Sequence, residues 1–221
     1  MRRGFTLVEL LVVISIITIL AGLILPSIWR AKTKAKITKA ASYIAQLEAY
    51  LQLYHDYEDN GDYPPTSLRD LGKNFGTNGK NDGIESLLAC LASKESGAPY
   101  HIPPEKDIRN SDKDKIPKSF DNDRGVETKD AYEVVDPWGN PYVYVHHRDY
   151  DTSGSKKHKY TYRAWDGKLV KIKPGRSKVT KSFHNIMKYM IWSFGPDRKN
   201  DNGEGDDICN WSKKKSRSKK K

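Results

Sequence analysis

The sequence predicts an α+β fold in which one long N-terminal helix lays its second half on a small antiparallel β-sheet. Three observations predict it. A single, almost wholly apolar run, Phe5 to Leu25, stands at the N-terminus of an otherwise polar chain of 221 residues. An apolar stripe of helical period follows that run. Short segments rich in Tyr and Val, bounded by Gly and Pro, then fill the C-terminal half. The length suits one folded domain plus an extension.

The N-terminal run reads FTLVELLVVISIITILAGLIL. About 21 residues rising roughly 1.5 Å each span ~31 Å, the hydrocarbon thickness of a bilayer. Glu9 does not belong in an ordinary anchor, because a carboxylate at membrane depth costs roughly 2.5–3.5 kcal/mol. The span holds no Lys, Arg or His. The partner of Glu9 must therefore come from another molecule or from a charge created later. A secretory signal would place a small-x-small site after the apolar run, and Ala21-Gly22-Leu23 fits that poorly.

MRRGFTLVELLVVISIITILAGLILP resembles a type IV prepilin signal, with a short basic leader and then Gly4, Phe5, Thr6 and Glu9 in the pattern G-F-T-x-x-E. The resemblance implies cleavage by a prepilin peptidase between Gly4 and Phe5 and methylation of the new amino terminus. It also implies that the Phe5 amine pairs with Glu9 of a neighbouring subunit, which supplies the missing partner. The expected divisions are a leader over 1–4, a transmembrane helix over 5–25 and an amphipathic stalk helix over 26–58. A globular domain over 59–211 and a basic tail over 212–221 complete the chain.

Gly22 and Pro26 mark an expected helix break. Pro26 removes the hydrogen bond to the Gly22 carbonyl, and glycine costs about 1 kcal/mol relative to alanine inside a helix. A simple kink at the membrane surface and, by resemblance, a segment that extends within a filament are both consistent with this. Beyond Pro26 the helix is expected to run to about Tyr57, with Ile37, Ala41, Ile44, Leu47, Leu51 and Tyr54 forming the stripe that docks a sheet.

Glu58-Asp59-Asn60-Gly61-Asp62-Tyr63-Pro64-Pro65 stops the helix. Type II secretion major pseudopilins are similar here, with an N-G-x-Y-P turn and a short helix after it. Residues 67–71 and 83–88 occupy that helical region. The stretch 96–130 is polar, has little periodicity and reads as a long loop or insertion, where the family has a shorter connection.

Asp136-Pro137-Trp138-Gly139-Asn140-Pro141 is a turn by composition, and the Tyr/Val run after it is a strand. DPWGNPY also resembles the major pseudopilins, and Trp138 and Tyr142 are expected as core and turn residues. His146 and His147 are expected on the surface, because neighbours on a strand point to opposite faces and cannot easily share one ion. Residues 156–175 suggest a hairpin around Asp166-Gly167, and Ile186 to Phe194 a last buried strand, with a short helix possible in part of it.

The loop from Ser193 to Trp211 is dense in oxygen donors. Calcium takes six to eight oxygens at roughly 2.3–2.6 Å from carboxylates and carbonyls, but the spacing is not that of an EF-hand. Taken alone, the loop reads as acidic and solvated. Major pseudopilins end in a similar S-x-G-x-D … D-I-x-N-W loop that binds calcium. The resemblance implies a structural calcium ion held by Asp197, Asp206 and Asp207, with the backbone carbonyls of Phe194 and Lys199 and with Asp201 as a substitute. Pro196 and Arg198 depart from the pattern, and Arg198 could oppose the ion's charge.

The formal charge of +11 is unevenly placed. Seven positive charges lie in the last nine residues, KKKSRSKKK, and two at Arg2 and Arg3, which leaves the remainder near +2. The tail is either solvated or an electrostatic arm for anionic lipid, nucleic acid or an acidic partner. Cys90 and Cys209 either stay thiols or close a loop of roughly 120 residues worth ~4–5 kcal/mol. No catalytic residues declare themselves: a Ser/His/Asp set, a nucleophile motif and a phosphate loop are all missing, so the chain reads as no enzyme.

The resemblance covers the first thirty residues and most of 134–211. It implies a type IV pilin-like subunit of a type II secretion pseudopilus, seated in the inner membrane with its C-terminal domain in the periplasm. The implied partners are further copies in a helical filament (a homo-oligomer), other pseudopilins, the inner-membrane assembly platform and prepilin peptidase; nucleic acid is not expected. The alternative is a type IV pilus or DNA-uptake pilin, against which DPWGNPY and the acidic loop weigh.

Overall fold

The structure, a computed structural model, describes residues 7–57, 61–71, 77–92, 100–121, 127–150 and 160–211. The predicted processing site, Gly4 and Phe5, and the basic tail lie outside the described residues.

Helix α1 runs from Leu7 to Tyr57, 51 residues, with Pro26 inside it. The helix continues through Gly22 and Pro26, as a kink without loss of helix allows. One proline removes one hydrogen bond from a helix held by many others.

The two halves of α1 have opposite surroundings. The apolar window of the first half is not buried at all, whereas Ala40, Tyr43, Ile44, Leu47 and Leu51 in the second are buried. The docking stripe is therefore rotated from the expected one: Ala41 and Ile37 are exposed, and Tyr43 takes the inward place. Aromatic packing decides this. The Tyr43 ring lies 5.4 Å from Tyr142, its hydroxyl is 3.0 Å from His101 Nε2, and Tyr50 stacks on His101 at 4.4 Å.

After a 3-10 turn at Leu68–Leu71, helix α2 (Asp82–Ala92) is buried along nearly its whole length. It lies against Tyr144 so closely that a Cβ on Gly83 would collide with the Tyr144 carbonyl oxygen and the Tyr162 hydroxyl. Only glycine permits that approach.

Nine short strands follow among the described residues: β1 (Ile108–Arg109), β2 (Lys115–Asp121), β3 (Glu127–Asp130), β4 (Glu133–Val134), β5 (Val143–His146), β6 (Thr161–Arg163), β7 (Leu169–Lys171), β8 (Tyr189–Ser193) and β9 (Ile208–Cys209). The central sheet has the order β5-β8-β9, antiparallel, with Val143 opposite Trp192 and His146 opposite Tyr189. β9 closes its edge, Trp192 opposite Cys209. The predicted hairpin around Asp166-Gly167 is β6–β7. The last buried strand is shorter than the predicted 186–194, for Ile186 and Met187 are exposed and the strand begins at Tyr189.

The stretch expected as a long loop is more ordered than its polarity suggested. It contributes β1, which pairs with β4, and the β2–β3 hairpin. The DPWGNP turn forms as expected: the Trp138 and Asn140 N–H groups donate to Asp136 Oδ1 at 2.9 Å, and Gly139 sits at φ +92°. Trp138 and Tyr142 are buried, as core and turn residues. Cys90 and Cys209 are not joined to each other.

Candidate functional site

The first functional feature is the apolar half of α1. Leu7, Val8, Leu10, Leu11, Ile14, Ile17 and Leu20 are exposed, along with most of the other apolar residues through Leu25. Such a continuous surface needs lipid or neighbouring apolar helices to cover it. Its hydroxyls are already served from within: Ser15, Thr18 and Ser27 donate to the carbonyls of Val12, Ile14 and Ile24. Glu9 lies in the first turn, exposed among leucines.

The second feature is the C-terminal acidic loop between β8 and β9. Carboxylate oxygens of Asp201, Asp206 and Asp207 lie within 4.8 Å of one another, with Asp207 buried. The loop is wired by its own backbone. Asp207 Oδ2 accepts the N–H groups of Gly203 at 2.7 Å and Asp201 at 3.0 Å, and Asp206 Oδ2 accepts that of Asp197 at 2.9 Å. Gly203, at φ +82°, lies against the indole of Trp211, where a Cβ would overlap the ring.

Of the predicted ligands, the structure brings Asp201, Asp206 and Asp207 together. Asp197 stands beside the group, its Oδ1 taken by the Lys199 N–H at 2.8 Å. Phe194 is fully buried at the end of β8. The Arg198 guanidinium lies 4.3 Å over the Trp165 ring.

The histidine pair departs from expectation. His146 is 3% exposed and its Nε2 lies 3.0 Å from Asp62 Oδ1; the ring of His147 is 4.3 Å away. The two rings share a side because β5 ends at His146 and a 3-10 turn starts at His147, so strand alternation no longer applies. Burial holds the His146 pKa below its usual value, partly opposed by Asp62. The signal that could have located Asp62 is its place in the N-G-D-Y-P turn that closes α1.

An exposed apolar helix at the N-terminus, continuing into a stalk packed on a small antiparallel sheet, defines a type IV pilin-like protein. Residues 1–25 match the family described as Prokaryotic N-terminal methylation motif. The chain is 34% identical over 153 residues to the type II secretion system core protein G of Escherichia coli, covering 68% of this chain and 78% of that one. It is 31% identical over 144 residues to the protein of the same name from Pseudomonas aeruginosa, covering 65% and 73%. A shorter match, 38% over 61 residues, joins it to the Type IV wide pilus major component PilA4 of Thermus thermophilus, covering 28% and 45%. No solved structure matches the chain. The chain belongs to the type II secretion system core protein G family, the major pseudopilins.

Proposed function

We propose that this chain is the structural repeat of a pseudopilus, extracted from the inner membrane and stacked so that the exposed half of α1 is covered by the same half of neighbouring copies. The observation that carries this reading is the contrast within one helix: its second half is packed on its own domain, and its first half is bare. A filament buries that surface as the bilayer does, so a subunit can pass between the two at little cost. The C-terminal domain stands in the periplasm. The partners are other pseudopilins, the assembly platform and prepilin peptidase, which cuts between Gly4 and Phe5. The role is structural, not enzymatic.

Glu9 supplies the registry. In the filament it meets the methylated amine of Phe5 from an adjacent subunit, and a carboxylate that is costly in lipid becomes a specific contact. The test is secretion in cells whose only copy carries Glu9→Ala. Processing and membrane insertion are expected to persist while filaments and secretion are lost. Wild-type secretion by that variant would defeat the reading.

The acidic loop fits a structural calcium ion. The donors are all oxygens, three carboxylates already converge, and Asp207 is fixed by two N–H groups. Asp201, Asp206 and Asp207 would hold the ion, with Asp197 and the carbonyls of Phe194 and Lys199 completing the set. Its work would be to neutralise the acids and fix the edge strand β9. The full-length chain in detergent is expected to melt higher in calcium than in chelator, and Asp206→Asn to shrink that gain.

A further inference from the structure

The segment Asn110-Ser111-Asp112-Lys113-Asp114 joins β1 to β2 and places three oxygen-bearing side chains at alternate positions. It is a tight turn: Lys113 sits at φ +62°, and Asn110 Nδ2 donates to the Asp114 carbonyl at 2.8 Å. The turn faces two acids from elsewhere in the chain. Oxygens of Glu85, on α2, Asp112 and Glu133, on β4, lie within 4.8 Å of one another, and all three residues are buried.

Hydrogen bonds reach part of this cluster. Glu133 accepts from the Ser111 N–H at 2.9 Å, the Ser111 hydroxyl at 2.9 Å and Asn81 Nδ2 at 2.5 Å. Asp112 Oδ2 accepts from Asn78 Nδ2 at 2.9 Å. Six buried oxygens are left without a hydrogen-bond donor among the described residues: both of Glu85, both of Asp114, and Oδ1 of Asp112 and of Asn110. Glu85 is only 2% exposed, and after burial the largest influences on it are the acids Asp114, Asp112, Glu133 and Asp82.

Buried carboxylates without donors are destabilising unless they take up protons or a cation. Burial and mutual repulsion push Glu133 up to about 7 and hold Asp114 and Glu85 above their ordinary values. A proton shared between Asp112 and Asp114 pairs oxygens of those two alone, whereas a cation where Glu85, Asp112 and Glu133 converge engages three carboxylates at once. The available donors are all oxygen, from carboxylates and one amide, with no nitrogen or sulfur in the group. That composition selects a hard cation with a high coordination number, which is calcium rather than zinc.

We propose that Glu85, Asn110, Asp112, Asp114 and Glu133 form a calcium site that fastens the insertion between α2 and β4 to the body of the domain. It is separate from the C-terminal loop and does not depend on that loop binding an ion. The turn resembles the first half of a calcium loop in its alternation. It departs from an EF-hand in running into a strand and in drawing its remaining carboxylates from distant elements.

The test counts calcium on the full-length chain in detergent by equilibrium dialysis after chelation. If both acidic sites bind, the parent is expected to hold two equivalents and Asp112→Asn one. If only this site binds, the parent holds one and Asp112→Asn none. An equal count in parent and variant overturns the proposal. Glu85→Gln gives an independent reading that preserves side-chain volume. It is expected to melt higher than the parent in chelator and to gain less from calcium, and an equal calcium gain in the two proteins would overturn the site.

Discussion

The two acidic regions of this domain are nearly alike in composition and opposite in physical state. In the C-terminal loop, one oxygen each of Asp197, Asp206 and Asp207 accepts backbone N–H groups from the same dozen residues. Among the described residues of that loop only Asp207 Oδ1 is buried without a donor, and Asp201 and Asp206 stay exposed. In the cluster around Glu85 the acids are buried, arrive from three elements far apart in sequence, and leave six oxygens without donors among the described residues. A loop that carries its own donors can hold its shape by itself. A buried cluster without them is a standing electrostatic cost. Clustered carboxylates therefore do not have one meaning; the supply of donors separates them.

The comparison can be broken most severely at Gly83, which lets α2 reach Tyr144 and carries Glu85 into its cluster. Gly83→Ala must displace the helix and is expected to cost about 2–3 kcal/mol in denaturant melts. The next effect separates the regions by sign. In chelator, Asp207→Ala orphans two N–H groups and is expected to destabilise by ~2 kcal/mol, whereas Glu85→Gln removes a repelled carboxylate and is expected to stabilise by about 1 kcal/mol.

The pH dependence sharpens the contrast further. Glu133 has a folded pKa of about 7, raised from 4.5 mainly by burial. The folded state therefore holds its proton where the unfolded chain has lost it. That contribution to stability is full below about 4.5 and is lost as pH rises through 7. His146 acts the other way: its lowered pKa gives stability present above the ordinary histidine value and lost as pH falls below it. Melting temperatures in chelator from pH 5 to 8 are expected to fall toward the alkaline end, and His146→Asn is expected to steepen that fall by removing the opposing term. Saturating calcium should flatten it.

The smallest effect belongs to the exposed Lys178–Glu204 pair at 2.9 Å beside the C-terminal loop. Lys178→Ala is expected to change stability by less than about 0.5 kcal/mol, since solvent screens it. A larger loss would mean that side-chain charges, not backbone donors, hold that loop together.

Much of the fold was legible in the chain because the relevant signals are local. The apolar run, the helical period to Tyr57, the Asp-Pro-Trp-Gly turn and the Asp166-Gly167 hairpin each depend on residues a few positions apart. The misses were of another kind. The stripe on α1 differs from the expected one because Tyr43 found Tyr142 and His101, contacts no period reports. The His147 ring lies beside that of His146 because the strand ends between them, and His146 meets Asp62 from a turn 84 residues away.

By itself the sequence determined an apolar N-terminal helix that carries an acid, a stalk, a small sheet and an acid-rich end, for each follows from spacing and side-chain chemistry along the chain. Only the tertiary structure decided which acids are starved of donors. Glu85, Asp112 and Glu133 lie on a helix, a turn and a strand, and their meeting depends on α2 packing under the sheet, through a glycine that lets the backbones touch. Burial and donor supply are properties of that packing, and together they turn ordinary acidic residues into a binding site.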